Sequence, residues 1–316
     1  MRTCVPIRFG VRFHYAKLLC FIWVILSFLP GLAGKADRDV KTCPSDRRKF
    51  EELQKRAQHA PEAQTILASC YDLGRNVAPS RTETIHWLSL AAEQGYAPAE
   101  YELGRIYLYG RGIPADYALA MLWEKKAALQ GEPKAQRDMA FIYERGLGVA
   151  PDPGEAVLWN RKAAEHGDPQ AQLHLAEALE KGTGATMNAT EAIQWYLKAA
   201  RQEIPEAQLR LGQIYAQENP LSCTAALGWY KKAAENAQTR AMYEMGKLYN
   251  TTCGPDVELA FTWFRIGARF GLAESQTEAD KLAPQLSETR RSKAEAAVAA
   301  WISHHSGSRK HADNDD

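Results

Sequence analysis

The sequence lacks the short motifs that mark common enzyme classes. It contains no His-Glu-x-x-His zinc motif, no Gly-x-Ser-x-Gly nucleophile elbow, no Cys-x-x-Cys pair and no Ser-x-x-Lys. Three histidines near the C-terminus, His304, His305 and His311, are typical of a solvated tail and not of a metal site. We therefore expect no catalytic residue, no cofactor and no metal ligand.

An excess of basic residues is also missing. The chain has 39 Lys and Arg against 38 Asp and Glu, and the first 34 residues hold four of the basic side chains and no acidic one. Without that segment the balance is 35 basic against 38 acidic residues, a formal charge of −3. A mildly acidic chain has no electrostatic surface for nucleic acid, so no nucleic-acid partner is expected.

No apolar run is long enough for a transmembrane helix. The run Leu18–Leu29 is shorter than the ~20 residues that cross a bilayer. It follows a basic stretch and precedes a helix-breaking Pro30-Gly31 and small residues, which is the layout of a cleavable export signal. We expect a signal peptide at residues 1–34, cleavage near Ala33 or Gly34, and a periplasmic or secreted protein. Retention of the signal as a membrane anchor is the alternative, and the only expected membrane contact.

Tryptophan recurs at one place in a repeating pattern, with spacings between 34 and 36 residues. A fixed period in this range predicts helical units that leave a hydrophobic face open and stack to bury it. The six positions are Trp87, Trp123, Trp159, Trp195, Trp229 and Trp263.

Each unit carries the pattern of two helices. In the second unit, Ala99, the pair Leu103-Gly104 and Tyr107 are four residues apart and predict one face of a helix A. A Gly-x-Gly turn ends helix A in the second to fourth units; Gly74-Arg-Asn76 replaces it in the first unit, and the fifth and sixth units, which are two residues shorter, lack it. Helix B places an alanine three residues before the tryptophan in the second to sixth units. In all six units a pair of small residues stands four and five residues after it, so the tryptophans are predicted to be core. The glycine turn is not a phosphate-binding loop, because no strand precedes it.

The composite Ala-x-x-x-Leu-Gly-x-x-Tyr-x-x-Gly-x-Gly, followed by Ala-x-x-Trp-x-x-x-Ala-Ala-x-x-Gly, resembles the Sel1-like repeat, a relative of the tetratricopeptide repeat. The resemblance implies an all-α fold, a right-handed α-solenoid superhelix of six helix–turn–helix repeats with capping helices at both ends. A helix capped by Ser45 falls in the N-terminal cap, and one capped by Ser287 falls in the C-terminal cap. The predicted segments are a cap at 35–62, repeats at 63–98, 99–134, 135–170, 171–206, 207–240 and 241–274, a cap at 275–302 and a disordered tail at 303–316.

Four cysteines remain after signal removal, an even number suited to two disulfides in an oxidising compartment, with four buried free thiols as the alternative. In stacked repeats, helix B of one unit packs antiparallel to helix A of the next. Cys223 opens the fifth helix B and Cys253 closes the sixth helix A; Cys43 and Cys70 stand in the same relation. We therefore expect the disulfides Cys43–Cys70 and Cys223–Cys253.

The resemblance also implies a concave surface lined by helices A, whose outward side chains are free to bind a partner. Two lysines on helices B, Lys162 and Lys198, are expected on the opposite, convex side. The predicted binding residues are Glu102, Arg105, Tyr109, Asp138, Phe141, Arg145, His174, Glu177, Lys181, Arg210, Gln213, Glu244 and Lys247.

Sel1-like proteins include envelope scaffolds for exopolysaccharide export, regulators of membrane signalling and secreted factors that contact host proteins. The resemblance therefore implies an exported, non-enzymatic and monomeric adaptor that binds a protein or an extended peptide in a bacterial cell envelope. A secreted host-interaction factor is one alternative. A penicillin-binding or lactam-hydrolysing protein is another, although the cysteines of such proteins pair inside each unit, a pattern missing here.

Overall fold

The computed structural model describes residues 43–218 and 223–305, and these residues form helices and turns with no strand. The predicted signal at 1–34 and most of the predicted tail lie outside them. The chain divides into two compact units, residues 1–103 and residues 104–316.

The first unit holds α1 (Arg47–Arg56), α2 (Pro61–Leu73), α3 (Arg81–Glu93) and the start of α4 (Ala97–Tyr109). The second unit holds the rest of α4 and eleven further helices among its described residues. These are α5 (Tyr117–Leu129), α6 (Pro133–Arg145), α7 (Pro153–Glu165), α8 (Pro169–Lys181), α9 (Ala189–Arg201), α10 (Pro205–Glu218), α11 (Cys223–Glu235), α12 (Thr239–Thr251), α13 (Val257–Arg269), α14 (Ala273–Leu282) and α15 (Glu288–His305), with a 3₁₀ turn at Ala283–Gln285.

Local sequence explains where the repeated helices begin and end. Proline occupies the first position of α6 and α8, where its missing N–H costs nothing. Asp116 and Asp152 accept hydrogen bonds from the N–H groups of the second and third residues of α5 and α7, respectively. The predicted left-handed turns are present, with φ of 71° at Gly182 and 63° at Asn76.

Two predicted helix ends differ from the structure. Asp46, and not Ser45, caps α1, because its carboxylate accepts from the N–H of Arg48 at 2.8 Å. The last helix continues to His305, so residues 303–305 are helical and do not belong to the predicted disordered tail. A polar, solvated segment at the end of a helix has a composition that fits both helix and disordered tail, so the sequence does not determine where α15 ends.

Within the second unit, the helices from α5 to α14 pack on their neighbours in sequence, and the last helix, α15, packs on α13. The helix A/helix B pairs α6/α7, α8/α9, α10/α11 and α12/α13 alternate with contacts between each helix B and the next helix A. Small residues permit close approach: a Cβ atom on Gly246 would lie 2.6 Å from Cδ1 of Phe264. Trp159 and Trp195 are buried, whereas the other four repeat tryptophans are half-buried. The predicted fold class, an all-α solenoid of helix–turn–helix repeats, is confirmed.

A row of buried glutamines joins successive repeats. In the second unit, Gln172 donates from Nε2 to the carbonyl oxygen of Ala164 at 3.1 Å and accepts from Nε2 of Gln202 at 2.9 Å. Gln136 and Gln208 donate in the same way to Ala128 and Ala200. Each amide therefore satisfies a carbonyl at the end of the preceding helix B.

Both predicted cysteine pairs lie at disulfide distance. The Sγ atoms of Cys43 and Cys70 are 2.11 Å apart and their Cα atoms 5.2 Å. For Cys223 and Cys253 the two distances are 2.08 Å and 5.5 Å. The first bond ties the segment before α1 to α2, and the second ties the start of α11 to the residues after α12. Among the helices of the described segments, none is both long and apolar enough to cross a membrane.

Candidate functional site

The side chains predicted to form the binding face differ in exposure. Tyr109, Arg145, His174, Lys181 and Lys247 are exposed, and Asp138 is buried at 4% exposure. The remaining seven are half-buried: Glu102, Arg105, Phe141, Glu177, Arg210, Gln213 and Glu244.

Five of them meet in one groove, named here the α6–α8 groove, whose volume is about 390 Å³. Its floor comes from α7, where Ala156, Val157 and Asn160 are buried. Its walls come from two successive helices A, because the same repeat positions project from α6 and α8. The predicted residues in the walls are Phe141 and Arg145 on α6, and His174, Glu177 and Lys181 on α8.

Charge in the α6–α8 groove is concentrated near the C-terminal ends of its two walls. The guanidinium of Arg145 lies 5.8 Å from the ring centroid of Phe141. Lys181 makes an exposed ion pair with Glu177, Nζ to Oε2, at 3.4 Å. Arg145 and the adjacent Glu144, which also lines the groove, form no ion pair with any residue that the structure describes. Basic side chains here are also favoured by the negative ends of the helix dipoles.

A second groove, of about 370 Å³, continues from α8 to α10 and shares Glu177 and Lys181 with the first. We call it the α8–α10 groove. The Nε atom of Arg210 donates to both carboxylate oxygens of Glu180 at 3.0 Å, and Tyr196 donates from its hydroxyl to Oε2 of Glu180 at 2.9 Å. Arg210 also donates from Nη1 to Oε1 of Gln213 at 2.9 Å. Two predicted residues, Arg210 and Gln213, therefore hold each other in place.

The pKa of Glu180 is lowered as a result. Burial acts to raise the pKa of this carboxyl, but the hydrogen bonds from Arg210 and Tyr196 outweigh burial. The pKa of Tyr196 is raised, first by burial and then by its hydrogen bond to the Glu180 carboxylate. Glu180 and Arg210 therefore form a charged pair at neutral pH, held in place by Tyr196, and this pair gives the α8–α10 groove a rigid polar wall.

Other predicted residues lie apart from the two grooves. The guanidinium groups of Arg105 and Arg111 each lie 5.8 Å from the ring centroid of Tyr109. Burial raises the pKa of the Tyr109 hydroxyl, and the charge of Asp138 adds to the shift. On α12, Glu244 pairs with Arg240 and Lys247 at 3.0 Å each.

The prediction that the side chain of Asp138 points outward and is free to bind a partner is wrong, because this side chain is buried. Asp138 is three residues after the buried Ala135, and on a helix this offset is only about 60° away from the alanine row. One charged neighbour of Asp138 is Arg137, whose Nε lies 3.9 Å from Oδ1 of Asp138. At the same repeat position Glu102 is half-buried and His174 is exposed, so burial at this position differs from repeat to repeat.

Among the groove-lining side chains that the sequence did not predict are Asn160, Tyr196 and Glu180. Asn160 and Tyr196 each directly follow a repeat tryptophan, and the residues at this position are buried in all six repeats. A polar residue at that position was the signal available in the sequence. Glu180 carried no comparable signal, because its importance depends on Arg210, 30 residues later.

The two lysines expected on the convex side lie over tryptophan rings. Nζ of Lys162 lies 3.9 Å from the ring centroid of Trp159, and Nζ of Lys198 lies 3.5 Å from that of Trp195. Both lysines are exposed, as expected, but their charges also contribute to the packing of helix B.

The two grooves offer hydrogen-bonding groups, a fixed ion pair, an aromatic ring and an apolar floor. Within residues 43–218 and 223–305, no group of three or more His, Cys, Asp or Glu side chains is arranged to hold a metal ion.

Comparison with known proteins identifies the repeat. The Sel1 repeat model matches residues 61–96, 97–132, 133–168, 169–203, 205–237 and 239–269, each beginning two residues before the unit predicted from the sequence. No curated protein sequence matches the chain.

Two solved structures are similar over most of the chain. One is c5321, described as a protective antigen present in uropathogenic Escherichia coli strains displaying an SLR fold, with 33% sequence identity and a TM-score of 0.69. That match covers 77% of this chain and 53% of c5321, so the chain spans about half the length of that relative. The other is a Sel1 repeat protein from Oxalobacter formigenes, with 28% identity, a TM-score of 0.62, and coverage of 75% of this chain and 70% of that chain.

Sel1 repeat proteins generally mediate protein–protein interactions, and their scaffold is typically non-catalytic. Matched repeats cover well over half of the sequence, and their first residues coincide with the starts of α2, α4, α6, α8, α10 and α12. The chain belongs to the Sel1 repeat family.

Proposed function

We propose that this protein is an exported, non-enzymatic adaptor that binds a segment of a partner protein along the α6–α8 and α8–α10 grooves. The observation that carries the proposal is the continuity of the two grooves, which share Glu177 and Lys181. Together they offer a surface built from three successive helices A. A linear surface of this kind fits a polypeptide better than a compact small molecule.

Export to an oxidising compartment such as the bacterial periplasm is part of the proposal. It is supported by the two cysteine pairs at disulfide distance, because such bonds persist outside the reducing cytoplasm. The signal layout of residues 1–34 supports it independently. We propose that the mature protein acts as a monomer in the cell envelope.

The experiment is affinity capture with charge-reversed variants. Arg145→Glu together with Lys181→Glu is expected to reduce capture of the partner at least about tenfold, since both side chains line the α6–α8 groove and are exposed. Arg105 is less suitable for this test because it is half-buried beside Tyr109.

The matched control reverses two lysines on helices B, Lys125→Glu and Lys231→Glu. Both are exposed, and neither lines the grooves. Capture is expected to be unchanged in the control, and the thermal unfolding midpoint nearly unchanged in both variants. If the control abolishes capture and the groove variant does not, the binding face has been assigned to the wrong helices.

The likeness to c5321 favours a second candidate, a secreted factor that contacts host protein. That relative is described as a protective antigen of pathogenic strains. Recovery of the mature chain in culture supernatant, and its capture by a host protein through the same two grooves, would support this candidate over an envelope adaptor.

A further inference from the structure

An apolar hollow adjoins the α8–α10 groove, and we call it the α9 socket. Its volume is about 280 Å³. α9 and α10 line it with the apolar side chains of Ala189, Ala192, Ile193 and Ile214. This volume is below the ~300 to 1,000 Å³ typical of small-molecule sites. The α9 socket therefore has the size and the lining for a single apolar side chain that belongs to a larger partner.

The charged side chains that border the α9 socket are already paired with each other. The socket shares Glu180 and Arg210 with the α8–α10 groove, so this ion pair is the boundary common to both. Arg210 donates from Nε to Glu180 at 3.0 Å and from Nη1 to Gln213 at 2.9 Å. Because the two charges compensate each other, the pair separates an apolar site from a polar one without attracting a ligand of either sign.

One uncompensated charge remains on the other side of this boundary, in the α8–α10 groove. Three carboxylates and two basic side chains line the groove: Glu177, Glu180, Glu206, Lys181 and Arg210. Lys181 pairs with Glu177, and Arg210 pairs with Glu180. Glu206 is exposed and forms no ion pair with any residue that the structure describes. The groove therefore carries one net negative charge, which favours a basic side chain in the occupant and disfavours an acidic one.

The distance between these two features sets the spacing of the partner's side chains. Glu206 and Ile214 are eight residues apart on α10, which is about 12 Å along the helix axis. In an extended chain, side chains four residues apart are separated by about 13 Å and point to the same side. An extended segment that lies along α10 therefore reaches both features with a basic residue and an apolar residue at this spacing.

We propose that the α8–α10 groove and the α9 socket together bind an extended segment of a partner protein, with a basic side chain at Glu206 and an apolar side chain four residues away in the socket. This proposal rests on the adaptor function above, and it names the partner chemistry for the second of the two grooves.

The test uses labelled random decapeptides in which lysine and leucine are fixed four residues apart, in both orders, and measures their retention by the full mature protein. Serine in place of the leucine is expected to weaken retention about tenfold, because no apolar side chain then fills the socket. Aspartate in place of the lysine is expected to weaken it about fivefold. A spacing of three residues is expected to weaken retention as strongly as the loss of leucine, since the two side chains then point to opposite sides.

Two substitutions at exposed positions test the protein side of the contact. Glu206→Lys is expected to reverse the preference, so that the aspartate library is retained more strongly than the lysine library. Ala189→Phe fills the socket and is expected to weaken retention of the lysine–leucine library about tenfold. The matched controls, Glu165→Lys and Thr190→Phe, change exposed residues that line neither site and are expected to leave retention unchanged. The unfolding midpoint is expected to stay nearly the same in all four variants.

Retention that does not depend on the two fixed residues or on their spacing overturns the inference. A Glu206→Lys variant that keeps the wild-type preference for lysine also overturns it. A second copy of the chain is the alternative occupant. If the mature protein sediments as a dimer that Ala189→Phe dissociates, the α9 socket is a contact between copies and the inference is wrong.

The two proposals fail in different ways. If Arg145→Glu with Lys181→Glu reduces partner capture but no library is preferred over another, the adaptor function stands and this inference is wrong. If neither that variant nor Glu206→Lys changes partner capture and no library is retained, the adaptor function fails and the inference fails with it.

Discussion

At the scale of single residues, four of the six repeat tryptophans are covered on their exposed side by a lysine of the same helix. In the second to fifth repeats, a lysine three residues after the tryptophan lies 3.5 to 4.7 Å from the ring centroid. Lysine stems can cover apolar surface while the ammonium stays in water. Each indole therefore gains burial and a cation–π contact, worth about 0.5 to 1 kcal/mol at an exposed site.

Trp159→Ala tests the packing role of these rings. Trp159 is 5% exposed in the third of the six repeats, so its loss is expected to cost about 3 to 5 kcal/mol through lost burial and the cavity left behind. Urea denaturation followed by circular dichroism measures the change. Lys162→Ala is the matched control and is expected to cost no more than about 1 kcal/mol. A loss under about 1 kcal/mol for the tryptophan itself would contradict its place in the core.

The pair of Glu180 and Arg210 predicts a dependence of stability on pH. The folded-state pKa of Glu180 is below the ordinary value of 4.5, so its contribution is complete above that value and is lost as the pH falls through the lowered pKa. The midpoint difference between the wild-type protein and Glu180→Gln is therefore expected to be largest near pH 7 and to shrink below about pH 4.

The control for this titration is Glu144→Gln, an exposed carboxylate with no ion pair within the described segments. Its unfolding midpoint at pH 7 is expected to stay close to that of the wild-type protein, because an exposed carboxylate without an ion pair contributes little to stability. A difference for Glu180→Gln that stays constant from pH 7 to pH 3 would mean that the carboxylate is not held by Arg210 in solution.

At the scale of helices, the sequence predicted well which helices exist and in which order, because each repeat carries residues that end its own helices. Gly182 ends α8 with φ of 71°, and Asp152 caps α7, so residues at the boundary itself determine both helix ends. The ends of α1 and α15 were less well placed. There, two adjacent residues can serve as caps, or the helix frays into a polar segment, and local sequence does not choose between them.

Contacts between helices were predicted only where the repeat itself imposes them. The cysteine pairings followed from the antiparallel packing of helix B on the next helix A. The glutamine row and the bond between Glu180 and Arg210 were missed, because each depends on side chains about 30 residues apart with no fixed motif. The burial of Asp138 was missed for a related reason, since a helical pattern sets direction but not the size of neighbouring side chains.

Loss of the Cys223–Cys253 bond is expected to loosen two helices and leave others unchanged. The bond closes a loop of 30 residues, for which the chain-entropy model gives about 3 to 4 kcal/mol. Because α11 and α12 pack mainly on their neighbours in sequence, the effect is expected to stay local.

Hydrogen exchange of the double variant Cys223→Ser with Cys253→Ser measures this effect. Faster exchange is expected in α11 and α12, with α6 to α8 unchanged. The corresponding variant Cys43→Ser with Cys70→Ser serves as the control and is expected to affect α1 and α2. Uniformly faster exchange across α6 to α12 would contradict local stabilisation.

At the scale of the whole molecule, charge and cysteine usage point to the same compartment. The first 34 positions hold four basic residues and no acidic one, and the remainder carries a small negative charge. The four cysteines beyond that segment are all placed in pairs at disulfide distance. A chain that relies on two such bonds gains their stabilisation only where they can form and persist.

Export is therefore expected to determine both the N-terminus and the oxidation state. When the full chain is produced in a Gram-negative bacterium, N-terminal sequencing of the periplasmic or secreted protein is expected to begin at Gly34 or Lys35. Thiol labelling under denaturing conditions is expected to find none of the four remaining cysteines free. A variant without residues 2–34, retained in the cytoplasm, is the control and is expected to label at all four and to unfold at a lower temperature. A membrane-bound chain that still begins at Met1 would show that the segment is an anchor, and reduced cysteines in an exported chain would show that the pairs do not form as disulfides.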